Sequence, residues 1–169
     1  MKYNILDTMK PTENIGIFKD IALFGDLNNA ERLKLSRIFQ KVGFREGEII
    51  FTAGDMGDAL YVIREGTVAV IKPGEEPEDD EIITELGPGD IFGEMALFEK
   101  MPRSATIRGS QDGKLFKVRK DYFDKLMDED HELALKIYKR INVILCHRLR
   151  ETTERLATAN RIISAASAG

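Results

Sequence analysis

The chain has little of several residue types on which particular functions depend, with no tryptophan, one cysteine and two histidines. The single cysteine, Cys146, excludes an intramolecular disulfide and is compatible with a reducing compartment. No apolar stretch reaches the ~18–20 residues of a membrane span, and the first ten residues, MKYNILDTMK, contain no signal-peptide core. We therefore expect a cytoplasmic protein that does not associate with membranes.

An excess of positive charge is also missing. The formal charge is −4, from 25 Lys and Arg against 29 Asp and Glu, without the basic footprint of a nucleic-acid-binding protein. A local excess in residues 136–161, seven Lys or Arg against two Glu, is interpreted as a solvated helix face rather than a DNA contact. The 169 residues, 43% of them apolar, predict a single domain, 1–169, with a packed core and no direct DNA binding.

Residues 1–41 are predicted to be an N-terminal helical segment, most clearly in its second half. Asp26 or Asn28 is suited to cap a helix. The apolar residues at helical spacing after the cap, interpreted as core, are Leu27, Leu33, Leu35, Ile38 and Phe39. A short helical stretch before it carries the apolar residues Ile17, Phe18, Ile21, Leu23 and Phe24.

Residues 42–119 consist of short β-rich runs separated by glycines. The runs are Val42–Phe44, Glu48–Phe51, Ala59–Arg64, Thr67–Lys72, Glu81–Leu86, Ile91–Phe92, Ala105–Arg108 and Lys114–Arg119. About eight strands at this spacing predict a mostly β protein with flanking helices, built as a small sandwich or barrel. The pair Glu65-Gly66 is typical of a hairpin turn between two of them.

The segment 73–81 is rich in Asp and Glu, the residues that supply the ligands in calcium-binding loops. It lacks the spaced ligands and the glycine of that pattern, so we interpret it as a solvated hairpin tip and predict no metal site.

Residues 120–164 are predicted to be helical, first Lys120–Met127 and then one long helix from about Asp130 to Ser164. A heptad seam runs along the long helix through Leu135, Tyr138, Asn142, Leu145, Leu149, Thr152, Leu156, Ala159 and Ile163. This pattern favours a parallel homodimer, although a helix that packs only within its own chain also shows such a stripe. Ile137, Ile141 and Ile144 form a second stripe, expected to dock on the strands.

The segment Phe92–Ile107, FGEMALFEKMPRSATI, carries the strongest indication of chemistry. The amides at the start of a short helix favour negative charge, and the guanidinium of Arg103 is suited to two phosphate oxygens. Glu94 would repel a phosphate, so a sugar hydroxyl beside it is the natural partner. From the residues alone, a surface ion pair between Glu94 and Arg103 is an equally acceptable interpretation.

The segment closely resembles the phosphate-binding cassette of the cyclic nucleotide-binding domain family. The matching positions are Gly93, Glu94, Met95, Ala96, Leu97, Pro102, Arg103, Ser104 and Ala105, with methionine at 95 for the usual aliphatic residue. The resemblance extends from about Leu23 to Leu156. It implies a β-roll or jelly-roll barrel with the cassette at 92–106, and cAMP or another cyclic nucleotide as the ligand.

The resemblance also implies roles for individual residues. Glu94 would accept a hydrogen bond from the ribose 2′-hydroxyl, helped by the backbone of Gly93, and Arg103 would pair with the cyclic phosphate. The phosphate contacts would be completed by amides around Ala96 and Leu97 and by the hydroxyl of Ser104. The residues expected to line the base and sugar pocket are Val70, Ile83 and Thr84.

Two adjacent threonines on the long helix are implied to contact the adenine across a dimer. Thr152 and Thr153 occupy the matching positions, although hydroxyls on a helix also bond to their own backbone. Ser104 does not discriminate between cAMP and cGMP, so the preference for cAMP rests on these threonines.

The sequence is compatible with three functions to different degrees. The first is a non-catalytic sensor that signals to a protein effector or a dimer mate by rearranging its C-terminal helices. The second is an interaction domain of the same fold, or a fragment of a larger regulator or channel, with cGMP or no ligand. The third, an enzyme, is disfavoured because His131 and His147 belong to no catalytic or metal-ligand pattern. Only ten residues follow the helical region that resembles the family, too few for a helix-turn-helix domain.

Overall fold

The computed structural model describes residues 5–8, 18–19 and 21–167, and Ile17 of the predicted N-terminal helical stretch lies outside this part. The strands are β1 Ile5–Thr8, β2 Gln40–Phe44, β3 Ile49–Phe51, β4 Ala59–Glu65, β5 Val68–Lys72, β6 Glu81–Leu86, β7 Ile91–Phe92, β8 Thr106–Gly109 and β9 Gly113–Arg119. The helices are α1 Asn29–Ser36, α2 Met95–Phe98, α3 Lys120–Glu129 and α4 His131–Ser167, with short 3-10 turns at Ala22–Phe24 and Pro77–Asp79.

The strands form two antiparallel sheets, in the orders β1-β2-β9-β4-β7 and β3-β8-β5-β6. Helices flank them, so the predicted mostly β, jelly-roll architecture is confirmed. The described residues contain one strand more than the sequence indicated, because β1 adds an edge strand beside β2. β1 lies within residues 1–41, which were predicted to be a helical segment, so residues 5–8 differ from that prediction. With only four residues, β1 is too short to show a clear alternation.

The turn at Glu65-Gly66 does not close a hairpin, which corrects the expectation from the sequence. β4 pairs with β7 and β9, whereas β5 pairs with β6 and β8, so this turn carries the chain from one sheet to the other. Gly66 has φ +81°, and a Cβ there would meet the carbonyl oxygen of Asp112 at 2.5 Å. Both the backbone conformation and the lack of space therefore require a glycine at position 66. A hairpin turn would require a glycine as well, so the pair Glu65-Gly66 does not distinguish a hairpin from a crossing between sheets.

The core has two parts, one on each face of the first sheet. Alternate residues of β4 serve them, because Leu60 and Val62 face the helices while Tyr61 and Ile63 point between the sheets. The helical side is rich in aromatic rings that pack against one another. They are Phe18, Phe24, Phe39 and Phe116.

Helix α1 begins at a reciprocal cap made by Asn28 and Glu31. The Asn28 side chain accepts a hydrogen bond from the Glu31 amide at 2.9 Å, and the Glu31 carboxylate accepts one from the Asn28 amide at 2.7 Å. Of the two cap residues suggested by the sequence, Asn28 is therefore the one used. Asp26 instead pairs with Arg140 on α4.

Helix α4 is docked along its first half and exposed along its second. Ile137 and Ile141 are fully buried against the helical side of the core, as the second stripe predicted. The residues of the predicted heptad seam differ in burial along the helix. Leu145 packs against its own chain, whereas Leu149 is 69% and Leu156 60% exposed. The 37-residue helix is about 55 Å long. All its residues from Glu151 to Ser167 are exposed, although Arg155 still donates to the carbonyl oxygen of Ile83 on β6.

Candidate ligand-binding site

A cavity of about 120 Å³ lies between the strands of the second sheet and the segment around α2. Most of the residues predicted as a site line it, namely Val70, Gly93, Glu94, Met95, Ala96, Arg103, Ser104 and Ala105. Leu97 is instead part of the core beneath the helices, and its amide donates to the Glu94 carbonyl oxygen at 2.9 Å. That amide is thus engaged in the helical turn.

Arg103 is held in place by three neighbours and is only 8% exposed. Its two terminal nitrogens donate to the carbonyl oxygens of Gly93 at 3.1 Å and Ala59 at 3.0 Å. The guanidinium carbon lies 4.1 Å from the centre of the Phe51 ring, a cation–π contact. These contacts use two of the five N–H donors, so the group retains capacity for phosphate oxygens.

Arg103 is a cation at the wall of the cavity although its surroundings lower its pKa. Burial lowers the pKa of its guanidinium from the ordinary value, and Tyr61, Asp58 and Glu94 oppose that change. An arginine starts from so high a pKa that it remains protonated at neutral pH. A buried cation of this kind favours an anionic ligand group.

Two glycines give Arg103 the space it occupies. Gly93 has φ +74°, and a Cβ there would lie 2.7 Å from an Arg103 nitrogen. At Gly57 a Cβ would lie 2.5 Å from the Ala96 Cβ and 3.1 Å from the Arg103 guanidinium carbon. Gly57 therefore helps to shape the site, although it was not predicted as a site residue. Glycines are common between strands, and the sequence does not show that this one lies against Arg103.

Glu94 is also buried and has a cationic partner. It is 6% exposed, and its carboxylate accepts a hydrogen bond from Arg148 of α4 at 3.0 Å. Arg148 also donates to the carbonyl oxygen of Ile91. Arg148 was not predicted as a site residue, because 54 residues separate it from Glu94 and no local pattern joins the two.

A second and wider cavity, of about 570 Å³, adjoins the first. Val70, Leu86 and Arg148 line both cavities. Ile83 and Thr84, predicted to face the base and sugar, line only the wider one, as does Thr152. Apart from Leu97, which lies in the core, and Thr153, which lies outside both cavities, the predicted site residues line two adjoining spaces, a narrow one at Arg103 and Glu94 and a wide one beneath α4.

The two threonines of α4 differ in position but not in bonding. Thr152 lines the wider cavity, whereas Thr153 is exposed and lies outside both cavities. Their hydroxyls donate to the carbonyl oxygens four residues earlier, Arg148 and Leu149, each at 2.8 Å. This is the local bonding that the sequence left open as an alternative.

The cassette helix α2 is tied to both C-terminal helices. The Lys120 ammonium at the start of α3 donates to the carbonyl oxygen of Leu97 at 2.6 Å. The Phe98 ring meets Tyr138 of α4 edge to face, with centroids 5.8 Å apart. A displacement of α2 would therefore disturb contacts with α3 and α4.

The described part of the chain contains no group of three His, Cys, Asp or Glu residues arranged to hold a metal ion. None of the described helices combines the length and the apolar character that crossing a membrane requires.

The profile of the cyclic nucleotide-binding domain matches residues 41–130, which comprise the strands from β2 to β9, the cassette and α3. The chain belongs to the cyclic nucleotide-binding domain family. A cyclic nucleotide-binding domain from Methylobacillus flagellatus has a similar crystal structure, with a TM-score of 0.76, 30% identity, and coverage of 91% of this chain and 86% of that chain. The family resemblance noted in the sequence is thereby confirmed.

Regulatory proteins are among the other relatives of this chain. A cAMP-dependent protein kinase regulatory subunit from Yarrowia lipolytica is 33% identical over 112 residues, which are 66% of this chain and 29% of the relative. The catabolite activator protein of Thermus thermophilus is 29% identical with a TM-score of 0.69, covering 82% of this chain and 63% of that protein. The chain spans about a third of the length of the curated relatives it matches.

Proposed function

We propose that this chain is a non-catalytic sensor that binds a 3′,5′-cyclic nucleotide, with cAMP as the preferred ligand. The observation that carries the proposal is the pair of buried charges at the narrow cavity, a cation at Arg103 and a carboxylate at Glu94. A phosphate fused to a ribose presents an anion beside a hydroxyl donor, which complements this pair. The names of the kinase regulatory subunits that resemble the chain support cAMP.

The ligand would divide between the two cavities. Its phosphate would accept hydrogen bonds from Arg103 and from the Ser104 hydroxyl, which lie at the narrow cavity. The base would extend into the wider space between Ile83 and Thr152, which has room for it. The shared wall at Val70 would contact the sugar.

Arg148 supplies a route from the ligand to the long helix. The ribose hydroxyl and Arg148 would compete for, or share, the Glu94 carboxylate, which Arg148 now contacts at 3.0 Å. Binding would therefore change the contact that holds α4 over the site, while movement of α2 would act through Phe98 on Tyr138. Such a switch is a shift of population, and it requires the ligand to prefer one helix arrangement.

An interaction domain without a nucleotide is the second candidate, and one observation favours it. Arg103 bonds to two carbonyl oxygens and Glu94 to Arg148, so neither buried charge is left unpaired when no ligand is bound. An empty cavity with paired charges would destabilise the fold less than an empty cavity with two unpaired buried charges would. Only a binding measurement separates the two candidates.

Signalling would pass through protein contacts made by the C-terminal helices of a single domain, residues 1–169. A homodimer along the exposed second half of α4 is part of the proposal, because Leu149 and Leu156 present apolar surface there. A protein effector would recognise the helix arrangement that the nucleotide stabilises.

Calorimetric titration of the purified chain with cAMP and cGMP tests the proposal. We expect saturable binding with cAMP tighter than cGMP, and a loss of ~2–5 kcal/mol in Arg103→Ala, since a buried charge contact disappears. Arg45→Ala, at an exposed arginine outside both cavities, is the matched control and should bind as the wild type does. Absence of binding by folded, ligand-free wild type would favour the interaction domain.

A further inference from the structure

The cassette of this chain contains a methionine whose sulfur lies at the edge of the narrow cavity. Met95 is the first residue of α2, it is 47% exposed, and it lines the cavity together with Ser104. The Ser104 hydroxyl donates to the Met95 sulfur across 3.8 Å. A thioether is a weak acceptor, so this contact leaves the hydroxyl easily available to a stronger one.

The contact with Ser104 distinguishes Met95 from the other exposed methionines, Met56 and Met101. Met56, at 68% exposure, lies outside the narrow cavity, whereas Met101, at 60%, lines it. Of these three, Met95 is the one whose sulfur contacts a hydroxyl that the bound phosphate would use. A chemical change at that sulfur would therefore act directly on the phosphate site.

We propose that Met95 is an oxidation site, and that its conversion to the sulfoxide by a peroxide weakens nucleotide binding. The thioether sulfur attacks one peroxide oxygen, an S–O bond forms and the O–O bond breaks. The leaving hydroxide takes up the remaining proton and departs as water. The sulfur is oxidised by two electrons and the peroxide is reduced by two, so no further reactant is needed.

The sulfoxide changes the site because its oxygen is a strong hydrogen-bond acceptor where a weak one stood. It would hold the Ser104 hydroxyl, which could then no longer donate to the ligand phosphate. The same oxygen carries partial negative charge beside the position of an anion. Both effects lower the affinity for a cyclic phosphate without requiring the fold to change.

The experiment uses the full chain with Cys146→Ser, because Cys146 is an exposed free thiol outside both cavities and also reacts with peroxide. The protein is treated with limiting hydrogen peroxide, and mass spectrometry measures sulfoxide at each methionine. Calorimetry then gives the Kd for cAMP before treatment, after treatment, and after reduction by methionine sulfoxide reductases. Circular dichroism establishes that the treated protein remains folded.

We expect conversion of Met95 to raise the Kd about ten-fold, and enzymatic reduction to restore it. Each variant is compared with its own untreated affinity: Met95→Leu should lose the sensitivity to peroxide, whereas Met101→Leu and Met56→Leu should keep it. Failure of Met95 to convert, equal affinities before and after its conversion, or a loss that persists in Met95→Leu would each overturn the inference.

The inference rests on the proposed function, and the two fail in different ways. Absence of binding by the untreated protein removes the proposed function and the inference together. Binding that is unchanged after Met95 has been oxidised removes the inference alone.

Discussion

Arg103 is oriented before any ligand arrives. Two carbonyl oxygens and the Phe51 ring fix its guanidinium, so the side chain has little freedom left to lose on binding. Freedom that is already lost in the free protein lowers the entropic cost of association. The neighbours that create this position are therefore as necessary to the site as the charge is.

The substitution Gly57→Ala, which adds one methyl group, tests whether the space around Arg103 is required for binding. In Gly57→Ala the new Cβ would lie 2.5 Å from Ala96 and 3.1 Å from Arg103, so α2 or the guanidinium must move. We expect the overpacking to destabilise the fold by ~1–3 kcal/mol. We also expect cAMP binding to weaken, because the guanidinium is displaced from its position at the cavity. Calorimetry on the variant measures this.

Gly87→Ala is the matched control, because a Cβ there has nothing within 4 Å. It should bind as the wild type does. Equal affinities for both glycine variants would mean that the close approach at Gly57 does not position Arg103.

At the scale of the elements, α1 and the start of α4 are joined by ion pairs. The Lys34 ammonium donates to the Asp130 carboxylate at 2.6 Å, and that of Lys136 donates to Glu31 at 2.6 Å. Hydrogen bonds from Lys34 and from the Leu133 amide lower the pKa of Asp130 below its ordinary 3.8. The charged form of Asp130 is therefore the one that stabilises the folded chain.

This sign sets the expected pH dependence. A depressed pKa contributes stability above the unfolded value of about 3.8, and the contribution is lost as the pH falls through the folded value. Asp130→Asn should reduce the free energy of unfolding at pH 7 by less than about 1 kcal/mol, since the pair is at the surface. The difference from wild type should shrink below about pH 4.

Denaturant unfolding at pH 7 and at pH 3 measures both differences. Asp128→Asn, at an exposed carboxylate on α3, is the control and should show no such change between the two pH values. A difference for Asp130→Asn that grows on acidification would contradict the assignment.

The elements also show where prediction from sequence succeeds. The strands of the β body and the cassette were recognisable because both are local patterns. The sequence left the cap of α1 open between Asp26 and Asn28, and the contacts with Glu31 identify Asn28. The Glu94–Arg148 contact joins positions 54 apart, and the approach of Gly57 to Arg103 depends on how two loops meet. The turn at Gly66 requires glycine whichever sheet the chain enters, so no local signal predicts the crossing.

At the scale of the whole molecule, the divided character of α4 indicates how the sensor would assemble. One face of its first half is buried on its own chain, while Leu149, Leu156 and Ile163 in the second half are each 60% exposed or more. An apolar row at heptad spacing on an exposed stretch of helix is the surface that a second copy of the chain would cover.

Leu156→Glu tests this assembly. A charge in the seam should shift the protein from dimer to monomer, because the two seams would bring like charges together. Ala157→Glu adds the same charge one residue outside the seam and should leave the dimer intact. Light scattering with size-exclusion chromatography measures the mass, and a wild-type monomer at high concentration would contradict the dimer.

A crystal structure of the chain with cAMP will show whether Arg103 and Glu94 bind the phosphate and the ribose of one ligand. We expect phosphate oxygens within ~3 Å of the Arg103 nitrogens, the ribose 2′-hydroxyl on the Glu94 carboxylate, and the base in the wider cavity. A nucleotide bound elsewhere, with Arg103 contacting only the Gly93 and Ala59 carbonyls as it does now, would contradict this expectation.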